Sequence, residues 1–308
     1  MLTYVVGDLF RSPAHVLVNT VNTVGVMGKG IAKTFKQIYP EMFEKYRQLC
    51  ETGALTVGKL WIYKTPNKWI LNFPTKTTWR QPSRLEYIEQ GLSAFLKAYA
   101  DRGVTSIAFP ALGCGNGELD WENQVRPLME QYLKPLPIDI FIYVYRKNSG
   151  IPEHKNIQDI SGWLRQQPEL LGFSEVQIDL KKIIGAGIHL KSFYEDQTFS
   201  VQWVEQEERI AISVGHNTEF IYFEELLEFW SLIRSYGFGF PAVLPASVAP
   251  YRTYLLALFA KLPYCYEVMV SKNYGALGTY QARSIQYIPQ STYANELFNG
   301  TPEHLIAV

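Results

Sequence analysis

The segment HVLVNTVNTVGVMGKGI, residues 15–31, indicates the fold of this chain most clearly. His15–Thr20 has the apolar, β-branched composition of a buried strand, and Ile31–Ile38 has the pattern of a helix that pauses at Pro40. Glycines in the turn between them let main-chain amides approach a ligand, and the helix N-terminus adds the positive end of a dipole. The segment therefore predicts an anion-binding strand–loop–helix unit. The turn contains three glycines: Gly25, Gly28 and Gly30.

A second segment of the same kind is PALGCGNGELDW, residues 110–121. It lies between a predicted buried strand, Ser106–Pro110, and a predicted helix, Trp121–Leu133. Two such loops at corresponding strand ends of one sheet predict the opposite walls of a diphosphate-binding cleft. Neither loop has the Gly-Lys-Ser/Thr run of a Walker A motif or the spacing of the dinucleotide fingerprint.

Strand and helix patterns alternate throughout the first half of the chain. Parallel βαβ units of this kind predict a three-layer α/β/α sandwich with a mixed, largely parallel sheet. The further predicted segments are the strands Lys59–Tyr63, Trp69–Phe73 and Ile138–Tyr145 and the helix Pro82–Asp101.

A polar stretch with glycine and proline, KNSGIPEHK at residues 147–155, predicts a boundary between two domains, 1–148 and 156–308. The second domain is predicted to be α+β, and its sequence shows no recognisable catalytic constellation. Its predicted elements are a hairpin of Phe199–Val204 with Arg209–Val214, the helices Phe223–Tyr236 and Tyr251–Leu262, and the strands Tyr266–Ser271 and Ala282–Ile288.

The composition is that of a protein with real hydrophobic cores, because 47% of the 308 residues are hydrophobic and 19% are charged. No apolar run reaches the ~18 residues of a membrane span, and no apolar stretch follows an early basic segment. The three cysteines, Cys50, Cys114 and Cys265, are far apart and have no metal-ligand spacing. We therefore expect a cytoplasmic protein without a metal ion, a cofactor or a membrane contact.

The net charge of zero conceals an asymmetry. Residues 1–150 contain 18 Lys and Arg against 12 Asp and Glu, whereas residues 151–308 contain 11 against 17. A basic half suits a phosphate-rich ligand or nucleic acid, and an acidic half suits a basic protein surface. It is equally open that the charge imbalance of each half arises by chance and that the two halves simply attract each other.

Three ordered motifs, residues 6–10 (VGDLF), 19–30 and 110–121, resemble the macrodomain family over residues 1 to about 145. The resemblance implies ADP-ribose as the ligand, with Asp8 and the adjacent Leu9 at the adenine and Asn22 at the distal ribose. A carboxylate accepts from an exocyclic amine, an amide orients a hydroxyl group, and main-chain amides neutralise phosphate. The implied diphosphate contacts are Gly28, Lys29, Gly30, Ile31, Gly113, Cys114, Gly115, Asn116 and Gly117.

The segment NFPTKTTWRQP, residues 72–82, resembles one branch of that family, which includes terminal ADP-ribose glycohydrolases and DNA ADP-ribosyl glycohydrolases of the DarG type. The resemblance places Lys76, with Thr75 beside it, at the anomeric carbon of the distal ribose, so Lys76 and Asn22 are the implied catalytic residues. A lysine amine can attack this carbon or form a Schiff base if burial lowers its pKa. An exposed lysine in a polar loop is more often simply solvated.

One position departs from the branch. Gly117 stands where the branch has an aspartate that releases the lysine adduct, and the nearest acids, Glu118 and Asp120, occupy other slots. A covalent route and a lysine-assisted direct hydrolysis therefore both remain open. Cys114 is interpreted as a small packing residue, because no histidine of the first domain except His15 could activate it.

The expected function is removal of ADP-ribose from modified macromolecules, specifically from thymidine in DNA. Such an enzyme acts as the antitoxin to a DNA ADP-ribosyltransferase of the DarT type, with the second domain as a possible partner-binding domain. The alternatives are a non-catalytic ADP-ribose-binding module and a hydrolase of ester-linked ADP-ribose on proteins or of O-acetyl-ADP-ribose. Three side chains near Lys76 either contact nucleic acid or belong to a solvated loop: Trp79, Arg80 and Arg84.

Overall fold

The computed structural model describes residues 1–144, 151–237, 239, 244–270 and 282–287. The chain divides into two units, Met1–Ser161 and Gly162–Val308. The domain limits expected from the sequence, 1–148 and 156–308, differ from this division mainly in residues 151–161, which belong to the first unit. Among the described residues, no helix combines the length and the apolar character that crossing a membrane requires.

The first unit is built on a six-stranded sheet in the order β1-β6-β5-β2-β4-β3. All neighbouring strands are parallel except β3 and β4, which are antiparallel. This mixed, largely parallel sheet with helices confirms the expected α/β architecture. The strands are β1 (Leu2–Val5), β2 (Val16–Val21), β3 (Trp61–Lys64), β4 (Trp69–Pro74), β5 (Ser106–Pro110) and β6 (Asp139–Tyr143).

The helices of the first unit are α1 (Gly30–Ile38), α2 (Pro40–Glu51), α3 (Leu85–Ala98) and α4 (Arg126–Leu133). The predicted pause at Pro40 is confirmed: Tyr39 leaves the helical region with φ −128° and ψ 69°, and Pro40 opens α2. The predicted helix at 121–133 is present with these bounds, and its first turn is π-helical while the rest is α-helical. Trp121–Val125 form a π-helical turn, which begins at Asp120, whose side chain accepts from the amide of Asn123 at 2.9 Å.

Helices α3 and α4 pack on one face of the sheet around a core that includes Phe73, Leu92 and Ile107. Gly91 allows the close approach of α3, because a Cβ atom at that position would lie 2.1 Å from Cζ of Phe73. The carboxyl ends of the parallel strands β2, β4 and β5 meet at one edge of this sheet, where ligands of such folds bind.

The second unit has a four-stranded antiparallel sheet, β10-β9-β8-β7, and a two-stranded antiparallel sheet, β11-β12. The predicted hairpin is confirmed, since Val204 pairs with Arg209 at the start of β9. The helix at Phe223–Tyr236 is also confirmed, whereas Ser271 and Ile288 lie outside the described residues. The elements are β7 (Ile188–Lys191), β8 (Thr198–Val204), β9 (Arg209–Val214), β10 (Asn217–Ile221), β11 (Cys265–Val270), β12 (Ala282–Tyr287), α6 (Phe173–Ile184), α7 (Phe223–Tyr236) and α8 (Arg252–Phe259), while α5 (Ile157–Arg165) includes the division between the units.

A buried polar cluster joins α6 to the region before β11. Arg165 donates from Nη2 to Asp179 Oδ1 at 2.7 Å, and the hydroxyl of Tyr264 donates to Asp179 Oδ2 at 3.1 Å. Burial, with Asp179 adding to it, raises the pKa of Tyr264, so this phenol stays a donor. These hydrogen bonds are structural, because they hold α6 against the segment that precedes β11.

Candidate functional site

Three loops converge at the carboxyl edge of the first sheet. The first glycine loop (residues 22–29) follows β2, the lysine loop (75–84) follows β4, and the second glycine loop (111–120) follows β5. Because these strands are adjacent and parallel, their loops lie side by side. The site is therefore assembled from segments far apart in the chain.

Asn22 organises the first glycine loop. Its Nδ2 donates to the carbonyl of Val26 at 2.7 Å, and its Oδ1 accepts from the amides of Val24 and Val26 at 3.1 and 3.2 Å. The hydroxyl of the fully buried Tyr46 donates to the carbonyl of Asn22 at 2.7 Å. These bonds hold the loop in one conformation, while the contact of Asn22 with a ribose stays a prediction.

Main-chain hydrogen bonds join the first glycine loop to the lysine loop. The amide and hydroxyl of Thr23 donate to the carbonyl of Thr77 at 3.2 and 2.9 Å. The amide of the buried Thr75 donates to the carbonyl of Val21 at 2.9 Å, which extends the pairing of β2 with β4. The residue between Thr75 and Thr77 is thereby placed beside the first glycine loop.

The second glycine loop depends on close main-chain approaches. Gly117 accepts through its carbonyl from the amide of Ser83 at 3.0 Å, and a Cβ atom on Gly117 would lie 2.2 Å from Ser83 Oγ. Gly30, which follows the first glycine loop at the start of α1, has φ +59°. A Cβ atom on Gly30 would lie 2.8 Å from Nδ2 of Asn116 in the second glycine loop. The two glycine loops therefore face each other closely, as expected for opposite walls of one cleft.

Lys76 is buried at the meeting point of the loops, with 7% of its surface exposed. Its Nζ donates to the carbonyl of Asn116 at 2.8 Å and lies 4.0 Å from a carboxylate oxygen of Glu153. Burial lowers the pKa of Lys76, and the nearby charges of Glu153 and Glu118 oppose this shift. A desolvated lysine with a lowered pKa is the form in which a lysine acts chemically.

A short segment, the strap (residues 151–155), lies against the same loops. Lys29 donates from Nζ to the carbonyl of Ile151, and Glu118 pairs with His154 at 2.6 Å and with Lys155. Glu153 is only 8% exposed. Burial raises its pKa, and the charges of Lys76, Lys29 and His154 oppose the rise. The strap thus brings a buried carboxylate to the lysine.

Asp8 lies at the opposite end of the edge, after β1. It is exposed, its Oδ1 accepts from the amide of Phe10 at 3.0 Å, and it lies 4.0 Å from Arg11. Leu9 is fully buried, and its contact with the adenine stays a prediction. An open cleft of about 540 Å³ in this region is lined by Val5, Gly7, Asp8, Arg11 and Tyr143.

Comparison with known proteins gives the family of this chain. Residues 18–128 match the family model of the Macro domain. ADP-ribose glycohydrolase OARD1 of Homo sapiens is 30% identical to the chain over 143 residues, which are 46% of this chain and 90% of that protein. The chain belongs to the macrodomain family.

Two bacterial relatives of this macrodomain are more similar in sequence. The DNA ADP-ribosyl glycohydrolase of Mycobacterium tuberculosis is 46% identical over 147 residues, covering 46% of this chain and 42% of that protein. A DNA ADP-ribosyl transferase-DNA ADP-ribosyl glycohydrolase fusion protein of Thermosipho africanus is 36% identical over 178 residues, covering 52% of this chain and 44% of that protein. The chain therefore spans less than half the length of these two relatives.

The macrodomain structure also bears on the roles that the sequence suggested for Cys114 and Trp79. Burial raises the pKa of Cys114 to about 12, so its thiol is protonated at neutral pH, which fits a packing residue. Trp79 is fully buried and cannot stack on a base, although Arg80 lies over its ring at 4.2 Å and Arg84 is exposed. Within the described ranges, no three His, Cys, Asp or Glu side chains are grouped to hold a metal ion.

Sequence reasoning missed two features of the macrodomain site. Asn19 on β2 donates to Asn72 on β4 at 2.9 Å, with both side chains fully buried beneath the loops. An asparagine pair at matched register was visible in VLVNT and WILNF only once the two strands were known to be neighbours. Glu153 was placed in a linker, and no pattern along the chain connects it with Lys76.

Proposed function

We propose that this chain is an ADP-ribosyl glycohydrolase that removes ADP-ribose from modified DNA, with thymidine as the modified nucleoside. The observation that carries the proposal is the buried Lys76 amine at the point where the three loops meet. The relatives of Mycobacterium tuberculosis and Thermosipho africanus are both named for DNA ADP-ribosyl glycohydrolase activity, which supports the choice of substrate.

The ligand is expected to lie along the carboxyl edge of the sheet. Asp8 accepts from the adenine amino group, and the two glycine loops present main-chain amides to the diphosphate. The N-terminus of α1 adds to this anion site, since Lys29 in the N-cap position makes no side-chain cap. The distal ribose then reaches Lys76, with Asn22 and Thr75 beside it.

Hydrolysis requires that the bond between the anomeric carbon and the nucleobase breaks. Either the Lys76 amine attacks this carbon and the adduct is hydrolysed, or water attacks directly while Lys76 stabilises the departing group. In both routes the burial of Lys76 matters, because interactions with developing charge are stronger where water is excluded.

Single-turnover release of ADP-ribose from a thymidine-modified single-stranded oligonucleotide tests the proposal. We expect the wild-type protein to release the label and Lys76→Ala to lose at least about 100-fold in rate, the usual range for a group acting in proton transfer or nucleophilic attack. Both proteins are expected to bind free ADP-ribose, as measured by calorimetry. Lys97→Ala, at an exposed lysine of α3, is the matched control and should release the label at the wild-type rate.

Other outcomes identify the alternatives. If neither protein releases the label while both bind ADP-ribose, the unit is a binding module and the proposal is wrong. If an ADP-ribosylated glutamate peptide or O-acetyl-ADP-ribose is cleaved and DNA is not, the substrate is an ester. Affinity for modified DNA that falls steeply with salt would support a DNA substrate, because neutralising phosphates releases counterions.

We also propose a DNA ADP-ribosyltransferase of the DarT type as a partner, and residues 156–308 as the partner-binding domain. The relative of Thermosipho africanus is named as a fusion of a DNA ADP-ribosyl transferase with a DNA ADP-ribosyl glycohydrolase, which supports this pairing. The acidic balance of residues 151–308 suits a basic partner surface. Co-purification of the transferase with the full chain, and its loss with residues 1–161 alone, is the expected result.

A further inference from the structure

The strap contacts each of the three loops that form the lysine site. Its first residue accepts from Lys29 in the first glycine loop, and its last two residues pair with Glu118 in the second. Between these anchors, Glu153 lies 4.0 Å from Nζ of Lys76. Anchors on both sides hold the Glu153 carboxylate at the lysine.

Burying the Glu153 carboxylate costs free energy, so a compensating interaction is expected next to it. A carboxylate with 8% of its surface exposed loses most of its hydration, and such groups are retained where a partner charge compensates. The partner here is the Lys76 ammonium, at an ion-pair distance longer than a direct hydrogen bond. A proton can pass between the two groups through one water molecule or after a small side-chain rotation.

The second glycine loop cannot supply an acid at the position of Gly117. A side chain there would place its Cβ atom 2.2 Å from Ser83 Oγ and 2.3 Å from the carbonyl oxygen of Gly113. The two acids of the same loop are exposed: Glu118 pairs with His154 and Lys155, and Asp120 accepts from the amide of Asn123. The buried carboxylate nearest to Lys76 thus comes from the strap.

We propose that Glu153 is the proton acceptor for Lys76 in the glycohydrolase reaction, an inference that rests on the function proposed above. The Lys76 ammonium gives a proton to the Glu153 carboxylate, and the neutral amine attacks the anomeric carbon as the bond to the nucleobase breaks. The departing base takes the proton from Glu153. Water then attacks the anomeric carbon, the carbon–nitrogen bond to Lys76 breaks, and the water proton returns the pair to ammonium and carboxylate.

The charges around the pair favour this exchange. Burial lowers the pKa of Lys76 and raises that of Glu153, so the two values move toward each other and proton transfer becomes less costly. Lys76 is faced by the charges of Glu153 and Glu118. The groups that face Glu153 are Lys76, Lys29, His154 and the hydroxyl of Tyr46.

Glu153→Gln in the full chain removes the proton acceptor and keeps the side-chain size. We expect single-turnover release to fall at least about 100-fold, with the Kd of ADP-ribose changed less than about 3-fold. Glu153→Asp should recover part of the rate. Glu86→Gln, at an exposed acid of α3, is the matched control and should behave as wild type.

The pH profile separates proton exchange from a structural role. The rate of the wild-type protein should rise with pH as Glu153 loses its proton, because only the carboxylate can accept, and fall at higher pH as the Lys76 ammonium loses the proton that the departing base needs. In Glu153→Gln this bell shape should be lost, and the residual rate should only rise as Lys76 becomes a neutral amine. A bell-shaped profile that persists in Glu153→Gln would overturn the proposal.

A second variant, Glu118→Gln, weakens the contacts of the strap but leaves the Glu153 carboxylate in place. Glu118→Gln should lower the rate less than Glu153→Gln does. Equal losses in both variants, together with weaker ADP-ribose binding, would show that the strap acts only as a structural cover and would contradict the proposal. Faster release in Glu153→Gln would identify the strap as an occluding segment, which also contradicts it.

A measurement without substrate distinguishes failure of this inference from failure of the proposed function. Lysines dimethylated with ¹³C-formaldehyde can be titrated by NMR, with Lys76→Arg assigning the signal. The pKa of residue 76 should be lower in Glu153→Gln than in wild type, and equal values would overturn the pairing. If the pKa falls but wild type releases no ADP-ribose from any substrate, the proposed function fails, and with it the role of Glu153 in the reaction.

Discussion

Burial sets the protonation of the cysteine thiols throughout the described part of the molecule. It raises the pKa of Cys50, Cys114 and Cys265 to about 12 in each case. The reactive thiolate is therefore a fraction of about 10⁻⁴ at pH 8. Cys114 lies in the second glycine loop, yet its environment gives it none of the activation that a nucleophile requires.

We expect all three thiols to react slowly with Ellman's reagent in the native protein at pH 8 and rapidly in concentrated urea, where the thiol pKa returns to its ordinary value. Cys114→Ala should retain ADP-ribose release within about 3-fold of wild type. Fast labelling of one native thiol together with loss of activity would identify that cysteine as functional and would contradict this assignment.

Gly117 and Gly115 in the second glycine loop make a matched pair for substitution. A Cβ atom at Gly117 would collide with Ser83 and with the carbonyl of Gly113, whereas a Cβ atom at Gly115 meets nothing within 4 Å. Gly117→Ala should lower the free energy of unfolding by about 1–3 kcal/mol, and Gly115→Ala by less than about 0.5 kcal/mol. Urea denaturation measures both, and equal effects would show that the loop adjusts freely.

Element types were predictable where a local signal was strong. The apolar run SIAFP gave a strand with the predicted ends, and Pro40 divided α1 from α2 as expected. The change from a π-helical turn to α4 at Arg126 was not predictable, because residues 121–133 have one continuous helical pattern. The close packing of α3 against β4 depends on one glycine, Gly91.

That glycine, Gly91, should not tolerate a methyl group. A Cβ atom would lie 2.1 Å from the ring of the fully buried Phe73, so we expect Gly91→Ala to destabilise the first unit by about 1–3 kcal/mol through overpacking. Gly162→Ala in α5 is the control, with open space around its Cβ position. It should be neutral or stabilising by up to about 1 kcal/mol, and thermal denaturation compares the two.

At the scale of the whole molecule, the strap gives a prediction about where the first unit can be cut. Residues 1–148 contain all six strands of its sheet but lack the strap, while residues 1–161 contain both. We expect both fragments to show the circular dichroism of an α/β protein. The longer one should release ADP-ribose at a rate within about 3-fold of the full chain, and the shorter one should lose at least about 100-fold because it lacks Glu153. Equal rates would show that the strap is dispensable.

The amino-acid sequence by itself determined the class of the first unit, the two glycine loops and the expected positions of Asp8 and Lys76. These depend on short-range signals: the spacing of apolar residues, glycines that follow strands, and motifs in a fixed order. The division of the chain near residue 161, the Asn19–Asn72 pair and the approach of Glu153 to Lys76 came only from the tertiary structure. Residues 76 and 153 lie far apart in the chain, and their pairing arises from strand order and from the burial of two opposite charges, which no local pattern encodes.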